Sequence, residues 1–449
     1  MKLFKNKLFK GALILSVGGL ITKVLGAFYR VPLTNLLGAE GIGIYQAVFP
    51  LYTLLLTASS TGVPNGIAKI ISSTDDKNAY SVLKSALKIF LPIGVLGTLL
   101  LSIFCNFIAK IQGNELSTFA YLTLSPSVLL VSVISCFRGF FQGKLDMKPT
   151  AISQIIEQAV KLVFGLVLCA YIIESVYIKA SLATFAVSIS ELITMLYLLI
   201  LFKKRGFNFS KLKLQKSNSK KVVKTVLPVM LSTVVIPLAR TIESFFILNV
   251  LNTYTTDATS LYGLYSGAVE SLVGVPVSVC YAVAVASIPV ISKAHSKGEK
   301  VGKKIGQSLL YTVIGGVVAS VGFIFFSKTA VNLLYSKLSS EHKIITVNLL
   351  KLSSASVILL PLMQTTSSII IAMGKEFYPP ISAGVSVVIK LTLSFLLLHI
   401  PKINVFAAVL SDILCYFVAT FLNLMYIIYI LFYSSRGKNG QNYRSRLRS

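Results

Sequence analysis

Two basic residues lie inside the first apolar stretch of the chain. In a helix, five residues spaced three and four apart form one polar stripe: Ser16, Gly19, Lys23, Gly26 and Arg30. A charge near the centre of a bilayer costs at least about 2.5–3.5 kcal/mol, so it should face a protein interior or a water-filled cavity. Two cations on one glycine-lined stripe therefore predict a cavity that receives an anion. The alternative for Arg30 is that its side chain reaches the outer membrane interface.

Other charged residues fall inside later apolar segments. The cations that we expect to bind an anion together with Lys23 and Arg30 are Lys161, Arg240 and Lys390. The acids that we expect to bind a coupling cation, or to pair with a cation, are Glu157, Glu243 and Glu270. Intramembrane charges of this kind mark substrate and ion pathways in transporters.

Simple charge pairing within a helix is the alternative for some of these residues. Glu157 and Lys161 are four residues apart, and Arg240 and Glu243 are three apart. The opposite charges of each pair could therefore neutralise each other. Lys23 and Lys390 have no acid three or four residues away in their own segments. For these two lysines, a bound anion or an acid on another helix is the expected partner.

The composition places the chain in the membrane class. Hydrophobic residues make up 55% of the sequence and charged residues only 13%, against about 25% charged in soluble domains. Twelve apolar segments reach the roughly 20 residues that a spanning helix needs: 12–36, 43–70, 82–108, 117–141, 150–173, 177–202, 222–251, 262–291, 305–335, 345–373, 379–400 and 404–433. The sequence predicts an all-α integral membrane protein with about twelve transmembrane helices.

The basic residues are distributed unequally between the two sides of these segments. Of the 43 Lys and Arg residues, 31 fall in loops on one side, 6 on the other side and 6 within the predicted spans. By the positive-inside rule, both termini are expected in the cytoplasm and the protein in the cell membrane. The net charge of +28 is then an orientation signal that contacts lipid headgroups, and nucleic acid is not an expected partner.

The chain is expected to consist of two similar halves. The predicted organisation is an N-terminal six-helix bundle at 1–202, a basic cytoplasmic linker at 203–221, a C-terminal six-helix bundle at 222–433 and a basic cytoplasmic tail at 434–449. Gly43-Ile44-Tyr45 matches Gly263-Leu264-Tyr265, and Gly143-Lys144 with Lys161-Leu162 matches Gly374-Lys375 with Lys390-Leu391. Such repeats are typical of transporters that bind substrate between two pseudo-symmetric bundles around a central cavity.

Motifs of enzymes and metal sites are missing from the sequence. No HExxH, no plausible Ser-His-Asp set and no GxxxxGK[ST] loop is present, and the five cysteines form no CxxC pair. We therefore expect no catalytic residues, no metal site and no cofactor, and a protein that is not an enzyme.

A family resemblance agrees with these expectations. The run Thr22-Lys23-Val24-Leu25-Gly26, Tyr29-Arg30, Leu37-Gly38 and Gly41-x-Gly43-Ile44-Tyr45 resembles the opening of the multidrug/oligosaccharidyl-lipid/polysaccharide exporter superfamily. Arg138-Gly139-x-x-Gln142-Gly143 resembles a cytoplasmic loop of that family. Within the superfamily, the sequence is most similar to the stage V sporulation protein B and polysaccharide-export branch, which is related to the lipid II flippase.

The resemblance implies a function and a binding site. It implies a secondary flippase that moves a polyprenyl-pyrophosphate-linked saccharide or peptidoglycan precursor by alternating access, with Na⁺ or H⁺ as a possible coupling ion. Lys23 and Arg30 fall at or near two cavity arginines of the lipid II flippase, whereas Ser271 stands where that family has another arginine. The alternative is a cation-coupled multidrug exporter of the same superfamily, which would favour acidic cavity residues.

Overall fold

A computed structural model describes residues 7–57, 62–172, 175–207, 216–297, 299 and 301–446. The helices of the first half of the chain are α1 (Lys7–Ala47), α2 (Phe49–Leu56), α3 (Gly62–Ile71), α4 (Asp76–Ile103), α5 (Cys105–Ile111), α6 (Thr118–Leu124), α7 (Pro126–Gly143), α8 (Lys148–Tyr171) and α9 (Val176–Lys204). A short 3₁₀ turn, Glu115–Ser117, precedes α6. Proline in the first turn of α2, α7 and α8 fits a position where the backbone needs no donor.

The second half is also helical throughout its described residues. Its helices are α10 (Lys216–Leu251), α11 (Ala258–Gly263), α12 (Glu270–Ser296), α13 (Gly302–Leu334), α14 (Ser340–Leu352), α15 (Ser354–Ala372), α16 (Tyr378–Leu398) and α17 (Phe406–Arg446). A π-helical turn, Leu264–Val269, joins α11 to α12. The all-α integral membrane fold expected from composition is confirmed. A bilayer core offers no hydrogen-bond partners to the backbone, and helices form these hydrogen bonds within themselves.

Eleven helical stretches within the described residues are long and apolar enough to cross a membrane. One of them, Val17–Leu56, has 40 residues, about twice the length that one span needs. It contains the predicted span 12–36 from residue 17 onward and the beginning of the predicted span 43–70. The backbone is non-helical at Gly38, where φ is 69°, a conformation that glycine adopts without the penalty paid by other residues. The eleven stretches therefore overlap all twelve predicted segments, and the first stretch runs through parts of two of them.

The helices pack into two compact units that do not follow the two halves of the chain. Unit 1 is Met1–Ser271 with Val331–Thr346, and unit 2 is Leu272–Ala330 with Val347–Ser449. Helices α10 and α11 belong to unit 1 because α10 packs on α2, α3 and α4, and α11 packs on α1. Of the predicted linker, residues 208–215 lie outside the described part of the chain.

Among the described residues of unit 1, apolar side chains form two buried clusters. The first surrounds Tyr29, Leu33, Tyr45 and Tyr52 and joins α1 and α2 to α6 and α9. The second joins α3, α4, α7, α9 and α10, with Phe140 among its fully buried members. Lipid tails are as apolar as these side chains, so close packing, and not escape from water, holds such helices together.

Unit 2 has one apolar cluster and one polar node of its own. Ile291, Ile370 and Ile427 lie in the apolar cluster of α12, α15 and α17. At the polar node, the buried Asn423 amide donates to Ser367 Oγ at 3.0 Å, and its oxygen accepts from Ser382 Oγ at 2.7 Å. Hydrogen bonds of this kind between membrane helices connect α15, α16 and α17.

Candidate functional site

The polar stripe of α1 has two different environments in unit 1. Lys23 is exposed, and nothing lies within 4 Å of the position that a Cβ on Gly19 would occupy. A Cβ on Gly26 would lie 3.6 Å from the Gln158 side-chain oxygen of α8. Arg30 is half-buried. The side chain of Ser16, which the sequence placed on the same stripe, is outside the described residues.

Arg30 contacts a neutral group. Its Nη1 donates to Ser271 Oγ at 3.4 Å, which is a long hydrogen bond. Within the described part of the chain, no ion pair involves the Arg30 guanidinium. Arg30 therefore contacts Ser271, which occupies the position where the family resemblance implies another arginine.

Helices α7 and α8 are joined by an ion pair within unit 1. Arg138 Nη2 lies 2.9 Å from Glu157 Oε2, and the two side chains are 13% and 21% exposed. Arg138 Nε donates to Ser153 Oγ, also at 2.9 Å, so two nitrogens of the guanidinium are engaged. Glu157, which the sequence placed opposite Lys161, is therefore paired with an arginine of the neighbouring helix.

Lys161 lies one helical turn beyond Glu157 on α8. Its Nζ is 5.8 Å from the centre of the Tyr29 ring, a cation–π arrangement. Lys161 also interacts electrostatically with Glu157, Arg30 and Glu191. The lysine therefore connects the Arg138–Glu157 pair to the cation of α1.

Glu191 of α9 completes this group of charges. It is 4% exposed and interacts electrostatically with Glu157, Arg138 and Lys161. We call the five residues Arg30, Arg138, Glu157, Lys161 and Glu191 the unit 1 charge cluster. It holds three cations and two acids on α1, α7, α8 and α9, so a net positive charge can attract an anion.

A second polar site of unit 1 gathers three of the other predicted residues. Arg240, Glu243 and Glu270 line one cavity of about 40 Å³, together with the Tyr262, Tyr265 and Ser266 side chains among others. Glu243 is 5% exposed. A cavity of this volume has room for a water molecule or a small ion. The predicted residues of α10 and α12 are thus brought together in one cavity.

Lys390 belongs to unit 2. Its Nζ lies 2.7 Å from Asp412 Oδ1, and the side chains are 12% and 9% exposed. The acid comes from α17, the helix next in sequence. This contact supplies the partner on another helix that the sequence left open for Lys390.

Two members of the unit 1 charge cluster were not among the residues predicted from sequence. Arg138 was counted with the cytoplasmic loop, but α7 extends to Gly143 and keeps Arg138 inside unit 1. The one signal in the sequence for this position was that the apolar run before Arg138 continues beyond it without a proline. Glu191 was visible as an acid inside a predicted span, yet nothing in the sequence distinguished it from a helix-pairing acid.

Comparison with known proteins places the chain among membrane exporters. Residues 8–295 match the family model described as "Polysaccharide biosynthesis protein". Stage V sporulation protein B of Bacillus subtilis is 28% identical over 74% of this chain and 67% of its own length. The lipid II flippase MurJ of the same organism is 26% identical over 92% of this chain and 80% of its own length.

Solved structures of the same superfamily share the fold. A lipid II flippase MurJ in an inward closed conformation superimposes with a TM-score of 0.76 at 16% identity, over 92% of this chain and 87% of that one. An inward-facing multidrug resistance MATE family transporter gives 0.75 at 16% identity, over 95% and 99%. Because the family model covers more than half of the sequence, the chain belongs to the polysaccharide biosynthesis protein family and is a membrane transporter of the multidrug/oligosaccharidyl-lipid/polysaccharide exporter superfamily.

Proposed function

We propose that this transporter is a flippase for a polyprenyl-pyrophosphate-linked saccharide or peptidoglycan precursor in the cytoplasmic membrane. The headgroup enters from the cytoplasmic leaflet, the protein alternates its access to the two sides, and the lipid tail stays in the bilayer. The names of two relatives, a lipid II flippase and a sporulation protein, support a substrate used in envelope assembly. Both termini lie in the cytoplasm in this proposal, following the positive-inside rule.

The observation that carries the proposal is the state of two cations in unit 1. Arg30 and Lys161 are half-buried, and neither forms an ion pair with any residue that the structure describes. Arg138, by contrast, is neutralised by Glu157 at 2.9 Å. A half-buried cation that forms no direct ion pair can be stabilised by an anionic ligand, and the pyrophosphate offers several charged oxygens to such donors.

The remaining predicted cations take different parts in this proposal. Lys23 lies seven residues before Arg30 on α1, about two turns away, and its exposed amine meets the headgroup first. Arg240 balances Glu243 and Glu270 in the second cavity. Lys390 balances Asp412 in unit 2. Substrate binding is thus assigned to Lys23, Arg30 and Lys161.

The second cavity is the candidate site for a coupling cation. Glu243 and Glu270 supply two carboxyl groups, and Tyr262 and Ser266 supply hydroxyl groups, around about 40 Å³. Oxygen ligands of this type suit a small cation such as Na⁺ or a proton.

Depletion of the protein from its host cell is the experiment that tests the proposed substrate. A flippase for a lipid-linked precursor should leave that precursor on the inner leaflet, where extraction and mass spectrometry detect its accumulation. Reconstituted protein should then expose the same lipid on the outer face of liposomes. Extrusion of cationic dyes, with unchanged lipid precursors, would favour the multidrug exporter instead.

A further inference from the structure

Glu191 differs from the other acids of the unit 1 charge cluster in its surroundings. Its Oε2 has less than 1 Å² of accessible surface and accepts no hydrogen bond from any residue that the structure describes. Glu157 has its oxygen 2.9 Å from the Arg138 guanidinium. One acid of the cluster is therefore compensated by a direct contact, and the other is not.

A second uncompensated group lies on the same face of α9. Thr194 is fully buried, and its Oγ1 also has no hydrogen-bond partner among the described residues. Residues three apart on a helix are neighbours, so Glu191 and Thr194 present two polar atoms to one small region. Buried polar atoms without partners are rare in folded proteins and call for an explanation.

The simplest explanation is a proton on Glu191. An ionised carboxylate that is buried without a donor is very unfavourable, and such groups neutralise themselves. A protonated carboxyl has an O–H group that can donate a hydrogen bond. A hydroxyl oxygen such as Thr194 Oγ1 can accept that hydrogen bond. A neutral Glu191 also removes the repulsion between its own charge and that of Glu157.

The charges around Glu191 come from identifiable helices. Helix α8 contributes Glu157 and Lys161, and α7 contributes Arg138. The Tyr52 phenol faces Glu191 from α2. Helix α6 contains no charged residue. Helix α1 contributes Arg30, which interacts electrostatically with Lys161.

We propose that Glu191 is a proton-binding site of unit 1 whose occupancy is linked through Lys161 to the anion bound by the charge cluster. An anion near Lys161 offsets the positive charge that favours an ionised Glu191, so it strengthens proton binding. By reciprocity, a proton on Glu191 strengthens anion binding by the same factor. The proton site itself does not depend on which lipid is moved, whereas the linkage rests on the proposed function.

Infrared spectroscopy of the purified full-length protein tests the proton site directly. The carbonyl stretch of a protonated carboxyl is separate from the bands of ionised carboxylates and shifts in D₂O. We expect this band in the wild type and, at the same intensity, in Glu115→Gln, whose exposed acid is the matched control. We expect the band to lose intensity in Glu191→Gln. A band of unchanged intensity in Glu191→Gln overturns the proposal.

A conservative variant keeps the test valid if the amide variant does not fold. Glu191→Asp retains a carboxyl group in a shorter side chain, so the band should remain and move in frequency. A band that neither moves nor weakens in Glu191→Asp also overturns the assignment to Glu191. Size-exclusion chromatography of each variant shows whether folded protein is being measured.

Proton uptake tests the linkage to the anion. Polyprenyl pyrophosphate is added to weakly buffered protein, and a pH indicator reports the protons taken up. Wild-type protein should take up more than Glu191→Gln at equal binding, and equal uptake overturns the linkage. If calorimetry detects no binding of polyprenyl pyrophosphate to the wild type, the proposed substrate is wrong, while the infrared result still decides the proton site.

Discussion

Gly43 and Gly263, which hold equivalent positions in the two similar motifs of the sequence, face each other across a helix crossing of unit 1. A Cβ on Gly43 would overlap the backbone carbonyl of Thr259, four residues before Gly263. A Cβ on Gly263 would overlap the carbonyl of Ala39, four residues before Gly43. The two contacts are reciprocal, so the crossing has an approximate two-fold relationship, and only residues without a side chain allow the backbones to approach this closely.

Gly43→Ala is expected to destabilise the protein. The new methyl group has no space, and overpacking of this kind typically costs about 1–3 kcal/mol. The thermal midpoint in detergent should fall clearly below that of the wild type. Gly274→Ala is the matched control, because nothing lies within 4 Å of its added Cβ. Equal midpoints for the two variants would show that the α1–α11 crossing tolerates a wider separation.

The Arg138–Glu157 ion pair predicts strong coupling between two substitutions. Removal of one member of a buried pair leaves an uncompensated charge and costs about 3–5 kcal/mol. Arg138→Ala should therefore lower thermal stability strongly. The double variant Arg138→Ala with Glu157→Gln should lose much less than the sum of the two single losses. Additive losses would mean that the 2.9 Å contact contributes little.

Substitution of Arg30 or Lys161, the two cations of the unit 1 charge cluster that form no ion pair with a described residue, should weaken lipid binding more than folding. Each charge-assisted contact to the anion is worth about 1.5–3 kcal/mol, so Lys161→Ala or Arg30→Ala should reduce the affinity for polyprenyl pyrophosphate roughly tenfold or more. Lys402→Ala, which removes an exposed lysine of a turn in unit 2, should leave the affinity unchanged.

Lys23 provides a further comparison within the same measurement. Its amine is exposed on α1, so Lys23→Ala should insert and accumulate normally while it lowers flipping of the lipid. Lys23→Arg should retain activity because the charge is preserved. Normal exposure of the lipid on the outer leaflet with Lys23→Ala would exclude Lys23 from the anion site.

The Lys390–Asp412 contact predicts a rescue by exchange of charges. Lys390→Ala should destabilise unit 2, since Asp412 is 9% exposed and would lose its contact at 2.7 Å. The double exchange Lys390→Asp with Asp412→Lys restores opposite charges on the same two helices and should recover part of the lost stability. If the double exchange recovers no stability, contacts of these two positions with other neighbouring residues determine the stability of the variants.

The charge distribution predicts the orientation of the chain in the membrane. Reporter fusions after Leu214 and Ser435 should both give a cytoplasmic signal, and a fusion after Thr255 should give an external one, because basic loops stay on the cytoplasmic side. Fusions report location by enzymatic activity or fluorescence on one side of the membrane. An external signal after Leu214 would overturn the model of two six-helix halves joined by a cytoplasmic linker.

The sequence alone determined the features that depend on local composition. A membrane helix requires about 20 apolar residues and satisfies its own hydrogen bonds, so the spans could be located from hydropathy alone. The same segments predicted which charges lie at membrane depth, including Lys23, Arg30 and Lys161. Short motifs sufficed for the superfamily because their residues are contiguous in the chain.

The tertiary structure decided which of these charges meet. Helix periodicity fixes the relative positions of residues on one helix, but it does not fix how that helix is rotated against its neighbours. For this reason Glu157, four residues from Lys161, pairs with Arg138 of α7, and Lys390 finds Asp412 of α17. The burial of Glu191 and the Gly43–Gly263 crossing likewise depend on contacts between residues far apart in the sequence, which a local pattern does not specify.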